Sequence, residues 1–414
     1  MKQKKFPLAF WIFIGLLVGI AAGLVLMQVP NGLEVANGYI KPFGTIFLNL
    51  LKFIVVPIVL FSIASGVISM QDISKVGSVG GKTVVYYMCT TAFAVVMALA
   101  LASAAKAIGL FAPLQTSGLE FVPPEGQSLM TTIVNIFPSN AVAPLVNATM
   151  LQVIVISLLL GFGILLAGEK GLVAAQIVDS FNEVSMKIMD LIIKLSPVGV
   201  ACLICPVIVE NGPSIVKDLV AVLAVAYVGY FLHAVIVYSV TIKGLGGLSP
   251  IQFFKGMGPA IMMAFSSASS VGTLPFTLEC SERLGARREV ASFVLPLGAT
   301  INMDGTAIYQ GVCAVFIATA FGIDLTLGQM VTIVLTATLA SIGTAGVPGA
   351  GMVMLAMVLQ SVNVPVEGIA LVAGIDRIFD MGRTTVNITG DAACAVIISR
   401  MEDKKAARTK AVKG

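Results

Sequence analysis

Residues 376–391 read DRIFDMGRTTVNITGD. Asp376, Asp380, Arg383, Asn387 and Asp391 follow one another at intervals of four, three, four and four. That spacing places all five on one stripe of an α-helix, with Thr384 beside it. The stripe lies in a segment, about 366–400, long enough to cross a bilayer, in a chain that is 57% hydrophobic and 11% charged. Exposing each charge to lipid costs on the order of 2.5–3.5 kcal/mol, so three carboxylates and Arg383 together would cost about 10 kcal/mol. The stripe must therefore face the protein interior, where buried charges need partners. Two chemistries meet that need. The charges can neutralise one another as structural glue, or they can bind a ligand carrying both signs. In the second reading the planar fork of Arg383 suits a carboxylate. Asp380 suits an ammonium group, and Asn387 can bond an α-carboxylate. Asn387 and Asp391 also offer hard oxygen ligands, which favour alkali or alkaline-earth cations over softer metals.

A second polar run, GATINMDGT at 298–306, interrupts another apolar segment. Interrupting a helix there would free carbonyl oxygens, Gly298 for example, for a cation. Asn302 or Thr306 alone could be polar helix contacts, but Asp304 needs compensation for its charge. Upstream, VVYYMCTTAFA sets Tyr87, Thr90 and Thr91 about one turn apart; alone they read as residues for interhelical hydrogen bonds. The single histidine, His233, in AYVGYFLHAVIV, reads as a packed or hydrogen-bonded residue rather than a proton relay. Cys202 and Cys205 form a CxxC inside an apolar stretch, which reads as packing.

The elements that must position these residues are membrane helices. Apolar runs of about 20 residues recur along the whole chain, as a bilayer core demands, and the short alternating segments of a β-barrel are missing. Eight spans are expected, at about 6–28, 43–69, 83–111, 146–168, 173–208, 216–242, 289–322 and 366–400. The opening apolar run is too long for a signal peptide and reads as the first span. Basic residues gather at the start (Lys2, Lys4, Lys5) and in the tail 402–414, while the connector 112–145 has Glu120 and Glu125 and no Lys or Arg. By the positive-inside rule both termini are expected in the cytoplasm, and the basic ends do not imply nucleic-acid binding. Two further apolar pieces, about 250–284 and 328–362, are broken by AFSSASSVGTLP and ASIGTAGVPGAG. Paired Gly/Pro-interrupted segments point to a transporter built from inverted repeats. Non-helical backbone at membrane depth is tolerated only against protein or water, so the two broken hairpins are expected to meet at a central cavity.

These residues carry a resemblance. NMDGT (302–306), SSASSVGTLP (266–275), SIGTAGVPGAG (341–351) and DMGRTTVNITGD (380–391) resemble the dicarboxylate/amino acid:cation symporters, and YYMCTTAFA extends the likeness to nearly the whole chain. The resemblance implies an all-α polytopic membrane protein of eight transmembrane helices and two re-entrant hairpins. It further implies a homotrimer in the plasma (inner) membrane of a prokaryote. A scaffold of residues 1–70 and 146–210 would hold an elevator-type transport domain of 78–111 and 216–401. Substrate contacts carry over to Ser270, Thr306, Val347, Gly351, Asp380, Arg383, Thr384 and Asn387. Arg383 would take a side-chain carboxylate and Asp380 an amine. Sodium ions would be held at Gly298, Asn302, Asn387 and Asp391, at Thr300, Ser341, Ile342 and Thr344, and at Tyr87, Thr90, Thr91, Asn302 and Asp304. The chain departs from the family pattern at Ala268 and Met381, where relatives place an arginine at one or the other; Arg377 is the spare arginine nearby.

The expected function is thus sodium-coupled uptake of aspartate or glutamate, with proton coupling or a plain C4-dicarboxylate substrate as the alternative. An intramembrane aspartyl protease would also use membrane carboxylates, but an adjacent arginine holds them ionised, which suits binding better than acid–base catalysis. A dedicated ion channel fits poorly with two closed hairpins and an amino-acid-shaped polar set.

Overall fold

A computed structural model describes residues 8–69, 78–113, 134, 137–342 and 350–413. Most of the connector 112–145 lies outside these residues, as do Thr344 and Val347. Among the described residues the chain is helical, with no strand. The first helices are α1 (Leu8–Leu26), α2 (Lys41–Ser69), α3 (Ser78–Ala107) and α4 (Met150–Leu166). Next come α5 (Leu172–Lys194), α6 (Ser196–Asn211) and α7 (Ile215–His233), the last prolonged by π turns at Ala234–Tyr238 and Ile242–Gly246.

The single span expected over 173–208 is two helices, α5 and α6, whose axes bend by 52°. Pro197, at the start of α6, has no N–H to continue the ladder from α5. Three helical stretches, Gly32–Ile68, Val79–Ala107 and Ile215–Gly246, are each long and apolar enough to cross a membrane, and the bent α5–α6 pair makes a fourth. Large apolar side chains such as Trp11, Phe53, Phe231 and Ile251 lie half-exposed or more on the outside, as lipid-facing surface does.

The piece 250–284 is a helical hairpin of α8 (Pro250–Ser267) and α9 (Ser270–Arg283). It turns through Ala268 at φ 50°, a left-handed position that costs a non-glycine residue roughly 1–2 kcal/mol. The expected span 289–322 is broken into α10 (Arg288–Ile301) and α11 (Asp304–Ala320), because Asn302 leaves the helix with φ −86° and ψ 101°. The second hairpin piece supplies α12 (Leu327–Ala340) and α13 (Ala350–Ser361). The last helix, α14 (Asp376–Lys413), runs on through the basic tail.

Helix α11 is the axis of the molecule. All 17 of its residues are buried, and it packs against α3, α7, α13 and α14. Helix α14 in turn packs against α8, α9 and α10. A second group forms where α2 packs against α4, α5 and α6, and α6 against α1; α2 and α4 also meet the helices of the second hairpin, α13 and α12. The α1–α6 seam has a sequence basis in Gly15, Gly19 and Gly23, four residues apart. A Cβ at Gly15 would sit 2.2 Å from the Pro197 carbonyl oxygen, and one at Gly19 would sit 2.3 Å from Ile204. Small residues at this spacing let helix backbones approach closely in lipid. Gly19→Leu is therefore expected to open the seam at a cost of about 1–3 kcal/mol, the usual range for overpacking. A lowered thermal midpoint in detergent would register it, and an unchanged midpoint would contradict the packing.

Candidate substrate and cation site

The ionic stripe of α14 faces the interior. Arg383 is only 2% exposed, and Asp376, Asp380, Asn387 and Asp391 are buried with it. Its guanidinium is fully engaged. Nη1 and Nη2 donate to Asp376 at 3.0 and 3.3 Å, and Nε donates to Asp380 at 3.1 Å. Nη2 also lies 2.9 Å from Asp380 Oδ1. The Tyr309 ring, from α11, covers the guanidinium at 4.5 Å from its centroid. The mutual neutralisation allowed by the sequence is therefore present. It presents the bidentate fork geometry that also recognises a free carboxylate.

Both hairpins reach this stripe. A Cβ at Gly351, in the first turn of α13, would lie 2.0 Å from Arg383 Nη1, so only glycine lets the helix pass so close. The expected opening between the hairpins is closed at that point. On the other side, Arg377 Nη2 donates to the Ser267 carbonyl at 3.0 Å, and its Nη1 lies 3.8 Å from Asp380. This contact ties the C-terminal carbonyl end of α8, which carries partial negative charge, to α14. Arg377→Ala is expected to loosen the first hairpin, read as faster amide exchange across residues 266–272; unchanged exchange would show the tie to be idle.

Further along α14, Asn387 closes the break between α10 and α11. Its Oδ1 accepts the Gly305 N–H at 2.8 Å, and its Nδ2 lies 3.4 Å from Thr306 Oγ1. Asn302 Nδ2 donates both to the Asn387 carbonyl at 3.0 Å and to Asp391 Oδ1 at 2.9 Å. Asn302 Oδ1 is buried and has no hydrogen-bond partner among the described residues. An orphaned carbonyl oxygen beside a buried carboxylate has the chemistry of a cation ligand. Gly298 belongs to the same cradle, since a Cβ there would meet Asp391 Oδ1 at 2.4 Å and the Tyr87 hydroxyl at 2.5 Å. The Gly298 carbonyl, however, still accepts the Asn302 N–H at 2.8 Å. The helix break therefore does not strip that oxygen of its bond: the chain leaves the helix at Asn302, one residue too late to do so.

Asp304, the first residue of α11, is fully buried with neither lysine nor arginine bonded to it among the described residues. Three hydroxyls and a histidine ring surround it instead. Thr91 and Thr90 donate to Oδ1 at 2.7 and 3.2 Å, and Tyr238 and His233 meet Oδ2 at 2.8 and 3.1 Å. Tyr87 points elsewhere, donating to the Val294 carbonyl at 3.1 Å. Ser270 is buried at the first turn of α9, where Ser269 caps the helix by accepting the Gly272 N–H at 3.0 Å. Thr384 is buried on α14. Thr300 lies in the last turn of α10, and Ser341 and Ile342 follow the end of α12.

The structure thus brings Asp376, Asp380 and Arg383 together at one end, and Asn302, Asn387 and Asp391 at the next turns. Thr90, Thr91 and Asp304 gather beyond. His233 is hydrogen-bonded, as its sequence context suggested, but its pairing with Tyr238 on Asp304 escapes a sequence reading. His233 and Tyr238 stand five residues apart, a spacing that matches no helical face, and only a π turn unites them.

Comparison with known proteins gives the family. Residues 8–401 match the model of the Sodium:dicarboxylate symporter family. The chain is 34% identical, over 97% of its length and 94% of the relative's, to a proton/sodium-glutamate symport protein of Bacillus subtilis (strain 168). It is 32% identical to a C4-dicarboxylate transport protein of the same organism, covering 95% of this chain and 93% of that one. It is 31% identical to excitatory amino acid transporter 3 of Mus musculus, covering 97% and 87% respectively. These relatives are transporters rather than enzymes. The buried ionic stripe, the two hairpins that reach it and the extent of the match agree: this chain belongs to the sodium:dicarboxylate symporter family.

Proposed function

We propose that the chain is a sodium-coupled symporter that takes up aspartate or glutamate. The observation that carries this reading is the Arg383 fork, buried and already matched to carboxylate oxygens by Asp376 and Asp380. An acidic side chain entering the site exchanges with Asp376 for the same donors, so binding swaps one buried ion pair for another. Asp380 then faces the substrate amine, with Asn387, Thr384, Thr306 and Ser270 completing its contacts. Gly351 approaches it from the second hairpin, and the family resemblance adds Val347 to its contacts. The exchange releases Asp376, whose buried carboxylate then needs another partner, because stranded members of buried ion pairs are costly.

Sodium is the co-substrate that the oxygen set fits. The unpartnered Asn302 Oδ1 and the carboxylate of Asp391 form one candidate position, and Asp304 with Thr90 and Thr91 forms another. When bound, sodium supplies positive charge beside the developing substrate site; the residues named hold and orient it. The packing groups accord with a scaffold of 1–70 and 146–210 and a transport domain of 78–111 and 216–401. We read these as parts of an elevator in a homotrimer.

One observation favours a second reading. Asp380 is already flanked by Arg383 and Arg377, so it could remain paired while a substrate without an amine binds. The alternative substrate is then a C4-dicarboxylate. Competition against labelled aspartate separates the two. The first reading expects glutamate or unlabelled aspartate to compete and succinate to be far weaker; equal competition by succinate would overturn it.

A further inference from the structure

His233 and Tyr238 have no role in the function proposed so far, yet both end on one atom. Tyr238 donates to Asp304 Oδ2 at 2.8 Å, and His233 Nε2 lies 3.1 Å from the same oxygen. Both side chains are buried at 0% exposure. Their rings meet edge to face, with centroids 5.0 Å apart at 90°. In an ordinary α-helix residues five apart lie about 140° round the axis from each other, so they could not both face one carboxylate. The segment Ala234–Tyr238, between them, is a π turn. Its i→i+5 hydrogen bonding widens the turn and stacks residues five apart, and such bulges gather at functional sites.

The division of labour on Asp304 is equally regular. Oδ2 takes the two rings from α7 and its π extension. Oδ1 takes the two hydroxyls of Thr90 and Thr91, from α3. A carboxylate held through one oxygen cannot swivel about its side-chain axis, so the other oxygen stays aimed at the threonines. The same hydroxyl also lies 3.1 Å from the Val386 carbonyl, which sets the clamp against α14 beside Asn387. His233 Nδ1 has no hydrogen-bond partner among the described residues, so the ring is held there chiefly by its bond to Asp304.

We infer that His233 and Tyr238 are positioning residues, brought into register by the π turn, that fix the Asp304 carboxylate for cation binding beside Thr90 and Thr91. This rests on the cation reading proposed above. Groups that orient a metal ligand from behind change affinity by about 10–100-fold when removed, and that range sets the expectation. The role is geometric: a glutamine at 233 can still present an N–H to Oδ2, whereas leucine cannot.

The test is sodium titration of purified full-length protein without substrate, followed by the sodium-dependent rise in thermal midpoint. His233→Leu and Tyr238→Phe are each expected to raise the half-maximal sodium concentration about tenfold or more. His233→Gln is expected to restore most of the wild-type value. Asp304→Asn serves as the reference. If Asp304→Asn shifts the titration but His233→Leu and Tyr238→Phe do not, the clamp is refuted and the cation site stands. A lower midpoint without sodium, at an unmoved half-maximal concentration, is the signature of mere packing and likewise refutes it. If Asp304→Asn leaves the titration unmoved, the cation reading itself fails and takes the clamp with it. Should His233→Leu not fold, Tyr238→Phe, which removes only a hydroxyl, decides the matter.

Discussion

Arg383→Ala is expected to abolish uptake of acidic amino acids and to destabilise the protein at the same time. Its guanidinium is the shared partner of Asp376 and Asp380, and all three groups are buried. Removing one member of a buried pair leaves an uncompensated charge and costs about 3–5 kcal/mol. Loss of transport alone could therefore be a folding defect. A double variant, Arg383→Ala with Asp376→Asn, separates the two effects. It removes one of the stranded charges and should recover thermal stability in part, while uptake stays absent. Arg383→Lys keeps the charge but not the planar fork, and is expected to recover little binding. Undiminished aspartate uptake by a well-folded Arg383→Ala protein would remove this arginine from the substrate site.

The second large effect is expected at the carboxylates of the cation set. Asp391→Asn and Asp304→Asn each replace a charged oxygen ligand by a neutral amide while keeping its size. At Asp391 the change leaves the Asn302 amide facing another amide in place of a carboxylate oxygen now 2.9 Å away. At Asp304 it turns one acceptor into a donor facing hydroxyls and rings that now donate. Both should weaken sodium-dependent substrate binding by at least about tenfold, in keeping with the loss of a charge-assisted contact in a dry site. The measurement is substrate affinity across a sodium series for each variant. An unchanged series would count against oxygen coordination at that position.

Much of the site is legible in the sequence because it obeys a simple period. The stripe from Asp376 to Asp391 follows helical spacing, and no lipid-facing helix tolerates its charge, so its inward direction follows from energetics alone. The break at Asn302 is legible for a related reason: GATINMDGT sets two glycines and four polar residues in a segment otherwise apolar. The hairpin breaks announce themselves through serine, glycine and proline.

What escapes is everything decided by partners distant in sequence. No local pattern says whether Arg383 bonds its own helix or waits for a ligand; the answer depends on Gly351 and Tyr309 packing around it. The bend between α5 and α6 hides because the break at Lys194, Ser196 and Pro197 is short and the apolar residues on either side read as one span. The seam at Gly15, Gly19 and Gly23 is written plainly, yet its meaning appears only once α6 lies against it. The π turn after His233 is a one-residue shift in helical register, and side-chain type does not announce it. Asp304 illustrates the point most clearly. Its charge demands compensation, which the residue type alone would seek in a lysine or arginine; the fold supplies three hydroxyls and a histidine ring from α3, α7 and the α7 extension instead.

The most direct test is uptake by the purified protein in liposomes, with sodium, proton and potassium gradients imposed one at a time. An inward sodium gradient should by itself drive accumulation of labelled aspartate or glutamate, and Arg383→Ala should erase it. Accumulation driven equally well by a proton gradient in sodium-free medium would contradict the account.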